Sequence, residues 1–134
     1  MERVAKLTHP TGISSFQFSP VTEEVAICSS QAGVEFWSTA TWQRRRALTN
    51  FSKIMIPADG RGWWLTKDFR HAGLYEPRTL QELLPLPTDT LPLAISSDGR
   101  RLAVSVEGRR LQVWNLEELR ALFRELNVDW TDVP

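Results

Sequence analysis

The chain of 134 residues has one cysteine, one tyrosine, two histidines and no net charge. Each scarcity excludes something. Cys28 alone can close neither an intrachain disulfide nor a CxxC metal or redox pair, and at the end of an apolar run it reads as a small buried hydrophobe. His9 and His71 lack the company a zinc site needs, so no metal is expected. Sixteen basic residues balanced by sixteen acidic ones argue against a general polyanion binder, and nucleic acid is not an expected partner. No run of 18 apolar residues occurs, so no membrane span is expected. Met1–His9 is charged and lacks the apolar core of a secretory signal, which makes the cytosol the expected compartment. Nucleophile elbow, phosphate loop and metalloprotease helix are all missing from the sequence. The expectation is a non-catalytic protein without a cofactor. The 42% of apolar residues suffices for one domain with a real core.

What the chain does have is a repeat. Trp37, Tyr75 and Trp114 stand 38 and 39 residues apart. Ten residues before each lie Ile27, Leu65 and Val104; nineteen before lie Phe18, Ile56 and Ile95. All nine positions agree without a gap, which marks a repeat architecture. Each unit reads as strands. In the first, Phe16–Phe18, Val25–Ile27 and Val34–Trp37 are strands, with turns at Ser19-Pro20 and Ser29–Gly33. The later units turn at Asp59-Gly60 and Asp98-Gly99, because glycine takes a positive φ without steric cost. A fourth strand, Trp42–Leu48 or Thr79–Leu84, brings each unit to ~40 residues, the size of a four-stranded propeller blade.

Phe18-Ser19-Pro20, Ile95-Ser96-Ser97-Asp98-Gly99, Leu102-Ala103-Val104 and Val113-Trp114-Asn115 resemble the WD-repeat pattern, and His9 stands 28 residues before Trp37, as that family's histidine does. The resemblance covers residues 4–116 and implies an all-β, WD-repeat β-propeller segment at 1–115: three four-stranded blades, followed by a helix and tail at 116–134. It also implies where the chain departs. Gln31, Phe69 and Gly108 occupy the position of the turn aspartate, so the polar network typical of the family is incomplete in every unit. The strand-like run Met1–Thr8 would supply the outer strand of the last blade, for twelve strands in all. Three blades do not readily close a ring, since propellers have about 4–8. Open blade faces and edges invite association. The expected partners are therefore protein, with a homo-oligomer of two or three copies closing the ring. The competing reading is a small-molecule-binding or enzyme-regulatory segment of a larger, kinase-linked protein.

After Trp114 the period changes. Leu116, Leu119, Leu122, Phe123 and Leu126 follow helical spacing, with a capping box at Asn115 and Glu118 and a C-terminal cap at Asn127. The tail to Trp130 resembles the leucine-rich end of some bacterial WD-repeat proteins. This helix either covers the edge or face of the third unit or is offered to a partner groove through Leu119 and Phe123. Trp64 aligns with Ala26 and Ala103, so a large ring replaces a methyl; it is either an interior contact or an interface anchor. The turn Lys67-Asp68-Phe69-Arg70-His71 gathers charge, an aromatic and a histidine, and is either a solvated loop or a partner surface. Arg44-Arg45-Arg46 reads as a basic edge strand that discourages stray pairing.

Overall fold

The computed structural model describes residues 5–7, 12–29, 33–68 and 70–125, with side chains except at 123 and 124. Three antiparallel sheets follow one another in chain order. The first holds β1 (Ser15–Ser19), β2 (Glu24–Ser29), β3 (Gly33–Ser38) and β4 (Arg44–Leu48). The second holds β5 (Lys53–Met55), β6 (Trp63–Thr66), β7 (Ala72–Tyr75) and β8 (Glu82–Pro85). The third holds β9 (Thr90–Ile95), β10 (Arg101–Val106) and β11 (Arg110–Asn115), and α1 (Leu116–Glu125) comes directly after it. Each sheet is a simple meander. Ala5–Leu7 carry no strand, and the rest of the strand expected over Met1–Thr8 lies outside the described residues. The described strands therefore number eleven rather than twelve, and the third sheet has three. His9, Gln31, Phe69, Asn127 and Trp130 also lie outside the described residues.

Register decides which side chains meet. Phe18, Val25 and Trp37 are cross-strand partners on one face of the first sheet; Gln17, Ala26, Phe36 and Arg46 share the other. The second face packs on the second sheet. Ala26, Cys28, Val34 and Phe36 bury against Phe51, Ile54, Trp63, Leu65 and Tyr75. Phe36 stacks on Trp63 with ring centroids 4.9 Å apart, and Phe51 meets Tyr75 edge-on at 5.3 Å, both favoured aromatic geometries. A second core joins Met55, Trp64, Ala72, Leu74 and Leu86 to Leu102 and Val104 of the third sheet and Leu116 of α1. Because strand side chains alternate, the nine recurring positions all lie on the face that looks back along the chain. In the second and third sheets they enter these two cores; in the first they look outward.

Local chemistry sets the turns. Asp98 accepts from Ser96 Oγ at 2.6 Å and from Arg100 N at 3.0 Å, while Gly99 takes φ +73. Gly33 opens β3 at φ +83, where an added Cβ would collide with the carbonyl of Leu48. The residue after each recurring aromatic is a cap. Ser38 Oγ accepts from the backbone N of Ala40 and Thr41; Glu76 Oε2 accepts from Arg78 and Thr79; Asn115 Oδ1 accepts from Glu117 and Glu118. After Ser38 and Glu76 a single helical turn closes and is broken by positive φ at Trp42 and Leu80, which redirects the chain into β4 and β8. After Asn115 no such break comes within the helix span, and the capped turn runs on as α1.

Candidate interaction surfaces

Lys67, Asp68, Arg70 and His71 are exposed at the turn between β6 and β7, and much of their charge is paired within the fold. The Asp68 carboxylate accepts from Arg70 N at 2.7 Å and His71 N at 2.9 Å, and meets His71 Nδ1 at 3.0 Å. The amide of Arg70 foremost, with the His71 ring, holds this carboxyl below its ordinary range. The Arg70 guanidinium pairs with Asp89, 2.9 Å from Nε to Oδ1, and Asp89 N donates to the Arg70 carbonyl. Lys67 Nζ sits 5.8 Å from the centre of the Phe51 ring. The result is a braced turn displaying Lys67, Asp68, Arg70 and His71. Trp64 does not join them. It is 2% exposed, enclosed between the second and third sheets. Leu119 packs half-buried on the same core, and the Phe123 side chain lies outside the described residues.

The helix packs on the third sheet, with Leu116 beside Leu102 and Val104, and reaches the seam with the second sheet at Trp64 and Leu74. Leu116 N donates to the Arg100 carbonyl and Glu117 pairs with Arg100 at 3.3 Å, which fastens α1 to the β9–β10 turn. Leu116 and Arg120 line a small hollow with Pro57, Gly62, Trp64 and Leu74. The helix therefore closes one end of the seam between the second and third sheets. Among the described residues β11 is an edge strand, exposed from Arg110 to Val113.

One tie between sheets has no counterpart among the sequence-based expectations. Within Arg44-Arg45-Arg46 only Arg46 turns inward. Its Nη2 donates to the buried Glu24 carboxylate and to the Pro77 carbonyl, both at 2.8 Å, and its guanidinium lies 4.7 Å from the Phe36 ring centre and 5.3 Å from that of Trp63. Arg46 thus joins the first sheet to the β7–β8 turn through charge, hydrogen bonds and ring contact together. The available signal was its register opposite Phe36.

Both ends of the stack are apolar and open. On the first sheet Phe16 is 63% and Phe18 60% exposed. Together with Ala5, Leu7, Ile13, Val25, Ile27 and Trp42 they line a groove of about 520 Å³. On the third sheet Leu111 is 66% and Val113 57% exposed, beside Ala103 and Ser105. Among the described residues no group of three or more His, Cys, Asp or Glu is placed to hold a metal, and no helix is long and apolar enough to cross a membrane.

A crystal structure of the RRP9 WD40 repeats superposes on this chain with a TM-score of 0.63 at 15% sequence identity, covering 84% of this chain and 38% of that one. The fold is that of WD-repeat propeller blades. No family model matches the sequence, and no curated protein does either. The chain spans well under half of the WD-repeat structure it matches. Each recurring aromatic has a local hydrogen-bond partner. Trp37 Nε1 donates to Glu35 at 3.1 Å, Trp114 Nε1 to Gln112 at 3.2 Å, and Tyr75 OH to Glu82 at 2.8 Å. Burial first, and then the adjacent Glu82 carboxylate, push the Tyr75 hydroxyl well above the ordinary tyrosine range, so it stays a donor.

Proposed function

We propose that this chain is a non-catalytic WD-repeat interaction module, a scaffold that self-associates to complete a propeller. The observation that carries the reading is the pair of apolar end faces. Monomeric proteins rarely leave large contiguous apolar patches in water. Here Phe16 and Phe18 stand exposed at one end and Leu111 and Val113 at the other. The braced Lys67–His71 turn offers a second protein partner a rigid charged surface, and the WD-repeat fold supports protein partners in general. Sedimentation equilibrium of the 134-residue chain tests the self-association. A species of two or three copies at micromolar concentration is the expected result. A well-folded monomer across the whole concentration range removes the reading.

A further inference from the structure

The two open faces differ from each other, and the difference says how they meet. We infer that copies of this chain join head to tail: the outward face of the first blade, around Phe16, Phe18 and Trp37, packs on the outward face of the third blade, around Ala103, Leu111 and Val113, of a second copy. This rests on the self-association proposed above and specifies its surfaces.

The repeat itself supplies the argument. Each blade has a face looking back along the chain and a face looking forward. Forward positions are Ala26, Cys28, Val34 and Phe36 in the first blade, and Trp64, Thr66, Ala72 and Leu74 in the second; all eight are buried, and all but Thr66 belong to the cores shared with the next blade. The same register positions in the third blade are Ala103, Ser105, Leu111 and Val113, which meet no blade. Backward positions are Ile54, Trp63, Leu65 and Tyr75 in the second blade and Ile95, Leu102, Val104 and Trp114 in the third, and these pack on the blade before. Their counterparts in the first blade are Phe16, Val25, Ile27 and Trp37; among the described residues no blade stands before them, Val25 and Ile27 lie buried beside the chain's own Ala5, Leu7 and Ile13, and Phe16 stays exposed together with Phe18. Each open face is thus the unmatched half of a junction that the molecule makes twice within itself.

Volume chooses the pairing. At the first internal junction a forward face with small Ala26 and Cys28 beside Val34 and Phe36 receives the bulky Ile54, Trp63 and Tyr75, Phe36 stacking on Trp63. The open forward face repeats that pattern with Ala103 and Ser105, and the open backward face offers Phe16, Phe18 and Trp37. Small residues facing large ones interdigitate, so the backward face with Phe16, Phe18 and Trp37 fits the forward face with Ala103 and Ser105 better than it fits a second copy of itself. A half-turn about the propeller axis then sets the third blade of each copy against the first blade of the other. Two copies make six blades, within the range of about 4–8 that closed propellers have, and three copies make nine, outside it.

Native mass spectrometry and sedimentation on two charge variants, Phe18→Glu and Val113→Glu, test the pairing. Both sites are largely exposed in the single chain, so circular dichroism is expected to show each variant folded. Phe16→Ser and Leu111→Ser form a milder second pair should either charge variant fail to fold. Each variant alone has both junctions of the ring damaged and is expected to run as a monomer. Their equimolar mixture keeps one undamaged junction and is expected to restore a species of twice the chain mass containing one copy of each. If either variant alone remains a dimer, or the mixture stays monomeric while the parent chain dimerises, the head-to-tail pairing is overturned and self-association stands. If the parent chain is itself monomeric, the reading beneath it falls as well.

Discussion

At the scale of single residues, exposure separates side chains that hold the chain together from those that wait for something else. Trp64 and Phe18 are both large, aromatic and on strands or their ends, yet one is 2% and the other 60% exposed. Trp64→Ala removes an indole from between Leu74, Leu102 and Leu116 and leaves a void that neighbouring strands cannot close. It is expected to cost about 3–5 kcal/mol in urea unfolding. Phe18→Ala, measured in dilute solution where copies are apart, is expected to change stability by less than about 0.5 kcal/mol. Equal losses would mean that the first blade's outer face is as well packed as the interior. Charge is more local. Ser96 Oγ first and the Arg100 amide second hold the Asp98 carboxyl below its ordinary range. A carboxyl lowered by folding stabilises the native state fully above the unfolded value near ~3.9, and that contribution disappears as pH falls through the native value. The stability difference between the parent chain and Asp98→Asn is therefore expected to be constant near neutrality and to shrink on acidification below about pH 4. Unfolding midpoints taken through that range check the sign; a difference that grows on acidification contradicts it.

At the scale of elements, one position per repeat decides how the chain continues beyond each third strand. Ser38, Glu76 and Asn115 all accept two backbone N–H groups and start a helical turn, but Trp42 and Leu80 break that turn with positive φ, while α1 continues for ten residues. Asn115→Ala is expected to cost about 1 kcal/mol, the usual effect of losing an N-cap. Because Leu116 is buried beneath Trp64, the loss is expected to appear as faster amide exchange in both α1 and β6. Faster exchange in α1 alone would show that the helix does not brace the seam. The strands and their faces were legible in the sequence, since a gapless repeat combined with the two-residue period of a strand fixes which nine positions point the same way. The helix was legible from its spacing, and cover of the third unit was one of its two readings, but its place at the seam beside Trp64 was not. An amphipathic stripe says that a face must be covered and not which surface covers it. The three consecutive arginines were misleading for a similar reason: Arg44 and Arg45 are exposed as an edge strand suggests, while Arg46 is drawn inward by a carboxylate 22 residues away and by the paired rings of Phe36 and Trp63. Such long-range partners leave no periodic mark.

At the scale of the whole molecule, three blades leave an imbalance between surfaces made and surfaces satisfied. Two junctions are closed inside the chain, and apolar side chains stand exposed at both ends, Phe16 and Phe18 at one and Leu111 and Val113 at the other. Any species that binds the folded chain and not the unfolded one stabilises it by mass action, and a second folded copy is such a species. The melting temperature is therefore expected to rise with protein concentration, and the rise is expected to vanish in Phe18→Glu. Differential scanning calorimetry over a roughly hundredfold range of concentration separates this from the intrinsic stability of the blades, which does not depend on concentration. A single melting temperature throughout would mean that the ends add nothing to each other. A concentration dependence that survives Phe18→Glu would place the stabilising contact elsewhere, with β11, an edge strand among the described residues, as the next surface to test, since its exposed residues from Arg110 to Val113 can pair with an added strand without using the first blade at all.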